Sequence, residues 1–127
     1  MRERIGSRPP ETATSHRIKG RANIPTGSTP TLVASLALYN HSAPVLESIY
    51  YDAGSGSDGY ITFTVTINGQ QLPYDWANQA SALPMQDVAQ NLPRGGLLQV
   101  WAANSHPTDA QTAYCDGEVC FYAEPLK

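Results

Sequence analysis

Between Lys19 and Lys127 the chain has no lysine. That removes the usual amine for Schiff-base chemistry, and the phosphate-binding lysine of a P-loop, from most of its length. Charge of either sign is sparse, at 15% of 127 residues. No apolar run approaches the roughly 20 residues of a membrane-spanning helix. The N-terminal arginines are followed by no apolar stretch of the kind a secretory signal needs, and Met1 followed by Arg2 reads as the unprocessed start of a protein made in the cytoplasm. No serine occupies a Gly-x-Ser-x-Gly elbow. The three histidines, His16, His41 and His106, lack the short spacings of a zinc site. A catalytic constellation has no parts to be built from, so the expectation is a non-enzymatic protein with no metal and no cofactor.

Cysteine is nearly absent too: only Cys115 and Cys120. Their spacing is not Cys-x-x-Cys, which argues against redox catalysis. Two arrangements stay open. A two-residue turn at Asp116-Gly117 leaves the sulfurs diagonal, whereas a four-residue loop from Asp116 to Val119 puts them opposite each other at disulfide distance.

What the chain does have is turn chemistry, with ten glycines and ten prolines, interleaved with short alternating segments. Leu32, Ala34, Leu36 and Leu38 alternate with Val33, Ser35, Ala37 and Tyr39, the period-2 mark of a strand. A second strand is expected from Val45 to Tyr51. The clearest runs from Tyr60 to Ile67, with Ile61, Phe63, Val65 and Ile67 on one face and Thr62, Thr64 and Thr66 on the other. It ends in Asn68-Gly69, a strong signal for a type I′ hairpin, which pairs Ile67 with Gln70, Val65 with Leu72 and Phe63 with Tyr74. Residues 75–84 read as loop with one helical turn, and Gln86 to Gln90 as a short strand. Leu97 to Asn104, apolar on both faces near Val100 and Trp101, reads as a central strand. A terminal hairpin is expected from Ala110–Tyr114 and Val119–Ala123 around Asp116-Gly117. The fold class is all-β: an antiparallel β-sandwich or jelly roll of about eight short strands with an extended N-terminal arm.

The arm is assigned to residues 1–28 and the sandwich domain to 29–127. Residues 1–21 hold six basic side chains against two acidic ones, a balance of +4, while the remainder holds two against nine, a balance of −7. A basic tail on an acidic body docks on an acidic protein surface or on nucleic acid, or stays merely solvated. This tail has no interleaved aromatics and carries Glu3, Glu11, Pro9 and Pro10, which speaks against nucleic acid and for a protein partner. Arg2, Arg4, Arg8, Arg17, Lys19 and Arg21 supply the charge, and Ile5, Ile18 and Ile24 the apolar anchors, of a segment able to add itself to a neighbour's sheet edge.

Two further candidates carry a bland alternative. Asp52 to Gly59 holds two aspartates amid glycine and serine, yet lacks the alternating acids and closing glutamate of a calcium loop, and reads as a sheet connection. Tyr74 and Trp76 are candidate glycan contacts, against the ordinary role of aromatics in packing.

Three stretches, Tyr60 to Gly69, Leu92 to Gly96 and Leu97 to Asn104, preceded by an extended arm, resemble the small β-sandwich decoration or cement proteins of tailed-virus (bacteriophage) capsids. The resemblance implies a non-enzymatic structural protein on the exterior of a virion. Its partners would be the major capsid protein or other shell subunits and neighbouring copies of itself, often as a trimer, with no nucleic acid and no membrane. The competing reading is a glycan- or receptor-binding module of a virion fibre or surface protein.

Overall fold

Alternation and turn chemistry place most of the strands. A computed structural model describes residues 13–40, 42–53, 60–80 and 83–122. The described residues form nine strands: β1 (Ala13–Ile24), β2 (Thr31–Ala37), β3 (Ala43–Ala53), β4 (Ile61–Ile67), β5 (Gln70–Gln71), β6 (Asn78–Ala80), β7 (Leu83–Asn91), β8 (Leu97–Asn104) and β9 (Gln111–Tyr122). Asn68 and Gly69 take positive φ values of 52° and 84°, as a type I′ turn requires, and pair Ile67 with Gln70. The Leu72 N–H bonds the Val65 carbonyl at 3.1 Å, keeping the expected register for one further step.

The strands form two sheets, β1-β9-β3-β7 and β2-β8-β4-β5, with β6 continuing beside β4 where β5 stops. First pairs with last, second with second-last, and so inward: β1 with β9, β2 with β8, β3 with β7, β4 with β5 and β6. Counting β5 and β6 as one interrupted strand, this is an antiparallel ribbon rolled into a jelly roll. The inner faces bury Ile18, Ile24, Leu46, Ile49, Ile61, Phe63, Val65, Leu98, Val100, Val119 and Phe121. Tyr51 stacks on Phe63 with ring centroids 4.8 Å apart.

The rolled ribbon differs from the expected layout in three places. First, Ala13–Ile24 is not part of a separate arm. It is β1, and Ile18 and Ile24 are wholly buried in the common core, so they are not available as anchors to a neighbour. Ile18, Gly20, Ala22 and Ile24 face inward while Arg17, Lys19, Arg21 and Asn23 face out. Gly20 is needed here because a Cβ would collide with the Val33 carbonyl of β2. The segment earlier assigned +4 therefore divides: Arg17, Lys19 and Arg21 lie on β1, and residues 1–12 keep Arg2, Arg4 and Arg8 against Glu3 and Glu11.

Second, no terminal hairpin forms. β9 runs unbroken through Asp116-Gly117 as the inner strand between β1 and β3. Ala113, Cys115, Val119 and Phe121 all point inward, so a turn at Gly117 would forfeit pairing with two strands at once. Gly117 stands in register with Ile18 on one side and Ile49 on the other. A Cβ there would lie 2.8 Å from Ile49 Cδ1 and from the Ser48 carbonyl. The glycine marks a close approach rather than a turn. In consequence Cys115 and Cys120 lie on opposite faces of one strand, about 17 Å apart along it, and both are free thiols. Burial pushes the Cys115 thiol up to about 12.

Third, the chain leaves the β4 edge at Pro73. It makes a 3-10 turn over Asp75–Ala77 and returns as β6, so Phe63 faces Gln79 rather than Tyr74. The excursion lets Trp76 pack on the rim of the core, and the buried Tyr51 hydroxyl donates to the Trp76 carbonyl at 2.5 Å.

At the far end of the sandwich the fully buried Asn104 ties three segments together. Its Nδ2 donates to the carbonyls of Ile24 and Asp109 at 3.0 and 2.9 Å, and its Oδ1 accepts from the His106 N–H at 2.9 Å. A buried amide with every group paired adds order without the penalty of an unmade bond.

Three outcomes follow from this layout. Ile18→Ala should cost about 2–5 kcal/mol of folding stability in urea unfolding, whereas a residue on a free arm would cost nothing. Gly117→Ala should cost about 1–3 kcal/mol, since the added methyl overpacks a filled site. Native protein at neutral pH should take up one equivalent of a small alkylating reagent, at Cys120, and a second at Cys115 only on unfolding. Native double alkylation would contradict the burial of Cys115, and no alkylation at all would contradict the free thiol at Cys120.

Candidate functional site

The outward face of the β1-β9-β3-β7 sheet is polar and aromatic. On β1 the exposed Arg17, Lys19 and Arg21 lie opposite Glu118, Asp116 and Tyr114 of β9. The bonds are diagonal: Arg17 Nε donates to Asp116 Oδ1 at 2.7 Å, and Ser15 Oγ donates to Glu118 Oε2 at 2.7 Å. Both side chains lean the same way, one pleat along the strand. The Arg21 guanidinium lies 5.6 Å from the centre of the Tyr114 ring, which meets Tyr50 edge-on at 6.0 Å. Tyr122 donates to Glu47 at 2.5 Å, and that carboxylate pushes the phenol well above its ordinary range. Lys19 has no side-chain partner among the described residues. The Arg17 side chain is 47% exposed, so its pair with Asp116 contributes about 0–1 kcal/mol. Two of the basic residues expected to reach a neighbour are thus engaged within the chain itself. Arg2, Arg4, Ile5 and Arg8 lie outside the described residues.

The outward face of the β2-β8-β4-β5 sheet differs in kind. Leu32, Trp101 and Thr64 form one row across β2, β8 and β4, and Ser35, Gln99, Thr66 and Gln71 form the next. Between them lies a groove of about 390 Å³ lined by Pro30, Thr64, Thr66, Gly69, Gln71 and Trp101. Trp101 Nε1 donates to Thr66 Oγ1 at 3.0 Å, which leans the indole over β4. The sequence showed the threonine face of β4 and the tryptophan of β8 separately. Pro30 and Gly69 come from two turns, and only the sheet register brings all of them together.

Tyr74 and Trp76 stack on each other, centroids 5.6 Å apart and planes 12° from parallel. The two rings are offset, and Tyr74 stays exposed. Of the histidines, His16 Nε2 lies 2.9 Å from the Tyr39 hydroxyl and its ring meets Phe121 edge-on. The His106 Nδ1 accepts the backbone N–H groups of Thr108 and Asp109 at 3.1 and 3.0 Å, closing the loop between β8 and β9. His41 and residues 54–59 of the aspartate-bearing loop lie outside the described residues. Among those described, no three His, Cys, Asp or Glu side chains converge as a metal site, and no helix is long and apolar enough to cross a membrane.

No protein-family model matches the chain, and no curated protein matches its sequence. Solved structures do. A chain of the cyanophage Pam1 capsid asymmetric unit is similar over 89% of this chain and 87% of its own length, with a TM-score of 0.52 at 15% identity. FLHE is similar over 87% of this chain and 98% of its own at a TM-score of 0.43 and 7% identity. A chain of the acid-stable capsid of Helicobacter pylori bacteriophage KHP30 is similar over 88% and 90% at a TM-score of 0.41 and 10% identity. At 15% identity what is shared with the Pam1 capsid chain is the fold, along nearly the full length of both.

Proposed function

We propose that this chain is a non-enzymatic structural protein of a viral shell. Within that role it acts as a decoration or cement protein on the capsid exterior, held by the major capsid protein and by neighbouring copies in a trimer. The observation that carries the reading is the jelly roll, similar over 89% of the chain to a chain of the Pam1 capsid. The surface agrees with it. Cementing needs area and complementary charge rather than a reaction centre, and both outer faces of the sandwich are broad sheets.

Residues 1–12 are the part of the arm that remains for an external contact. They precede β1, whose partner on one side is β9 and whose other side ends the sheet among the described residues. An incoming or outgoing segment can add to such an edge through backbone hydrogen bonds. Arg2, Arg4 and Arg8 would meet acidic side chains there, with Ile5 as the apolar anchor. Exposed ion pairs supply little each, so the backbone bonds and avidity across many symmetry-related copies carry the attachment.

The truncation that tests this must stop short of β1. Removing residues 1–12 should leave the melting temperature within about 2 °C while co-sedimentation with undecorated shells is lost or sharply weakened. Removing residues 1–21 takes Ile18 out of the core and should unfold the protein. If the 1–12 deletion sediments with shells as strongly as the full chain, the N-terminal segment is a passenger and the arm-based account fails.

A further inference from the structure

The groove on the β2-β8-β4-β5 sheet has a lining unlike the rest of the surface. Its six residues, Pro30, Thr64, Thr66, Gly69, Gln71 and Trp101, include no ionisable side chain. A phosphate, carboxylate or ammonium group finds no counter-charge there, which disfavours nucleic acid, whose affinity rests on cationic contacts. A purely apolar ligand is disfavoured for the opposite reason. Thr64 and Gln71 make no side-chain hydrogen bond among the described residues, and an apolar occupant would bury them unpaired. A proline-rich peptide on an aromatic groove asks the ring for an N–H donor, but Trp101 Nε1 is already spent on Thr66 Oγ1 at 3.0 Å.

What remains is a neutral ligand with one apolar face and a rim of hydroxyls. We infer that this groove binds a neutral carbohydrate, with a pyranose ring packed on the Trp101 indole and its hydroxyls held by Thr64, Thr66 and Gln71. The C–H bonds on one face of a pyranose form a weakly positive apolar surface that suits the electron-rich face of an indole. Sugar hydroxyls both donate and accept, as do a threonine hydroxyl and a glutamine amide. The Thr66 oxygen, already accepting from the indole, keeps its own hydrogen to donate. A volume of about 390 Å³ falls in the usual range of small-ligand sites, roughly 300–1,000 Å³. The internal bond from Trp101 to Thr66 fixes the ring before the ligand arrives, so less is lost in ordering it. The inference concerns the isolated chain and stands apart from the shell reading.

The test is an array of neutral, sialylated and sulfated glycans followed by titration with the methyl glycoside of the best-binding neutral terminal sugar. The chain has two tryptophans, so Trp76→Phe leaves Trp101 as the sole fluorescent reporter. Its indole N–H in a heteronuclear NMR spectrum of the unaltered protein reads the same site. The expected result is a saturable change at Trp101. Gln71→Ala and Thr64→Val should each weaken it about tenfold without moving the melting temperature by more than about 2 °C, and Trp101→Leu should abolish binding on the glycan array, where no tryptophan signal is needed. The inference is overturned if no neutral glycan saturates the signal, if sialylated or sulfated glycans bind in preference, or if binding survives these substitutions. It is overturned equally if Thr64→Arg changes the sedimentation coefficient of the unliganded protein, because the groove would then be an interface between copies.

Discussion

The structure depends on one strand passing between two others without room to spare. β9 lies between β1 and β3 from Ala113 to Tyr122, and at its middle Gly117 leaves the space in which Ile18 and Ile49 lie against it. Any side chain there would push the flanking strands apart at the level of the Ser48 carbonyl. The close fit keeps β1 in the sheet, and β1 brings Ile18 and Ile24 into the core. It also sets the outer face: with Cys115, Gly117 and Val119 inward, Asp116 and Glu118 must point out, beside the basic residues of β1.

That placement changes the meaning of the charge asymmetry along the chain. The basic first 21 residues and the acidic remainder suggest two partners meeting. In the fold, much of the meeting is internal, between adjacent strands: Arg17 on Asp116, Arg21 over Tyr114. Cationic side chains spaced along an edge strand also discourage unplanned strand pairing. In the proposed shell role, attachment to a neighbour would fall to residues ahead of β1 and to the sheet faces.

The two outer faces then divide the chemistry. One carries charges of both signs and phenols, with Arg17 paired to Asp116, and suits a polar, salt-sensitive contact. The other is neutral, with an exposed Leu32 at 41% and a groove built around a fixed tryptophan. Nothing in the rolled topology requires both faces to be used alike. A shell protein can meet its neighbours on one and leave the other to solvent or to a ligand.

Local physics determined a good part of this. The β4 strand, the Asn68-Gly69 turn, the central position of β8 and the all-β class could be read from residues, because alternation, positive φ and β-branched content act over a few positions. The strands β1 and β9 could not be read in the same way. Ile18, Gly20, Ala22 and Ile24 do alternate, but glycine and alanine make a faint apolar stripe, and the flanking arginines gave it the look of a solvated tail. Asp116-Gly117 satisfies the local rule for a turn, and only the presence of β1 and β3 on either side makes an extended glycine the better solution. The groove was invisible for a related reason. Pro30, Gly69, Gln71 and Trp101 are far apart in the chain, and the rolled ribbon alone makes them neighbours. What the sequence determined by itself is the strand grammar. Which strand lies inside, which glycine is a turn and which a close approach, and which side chains share a surface were decided by long-range pairing, because that is where the burial energy is realised.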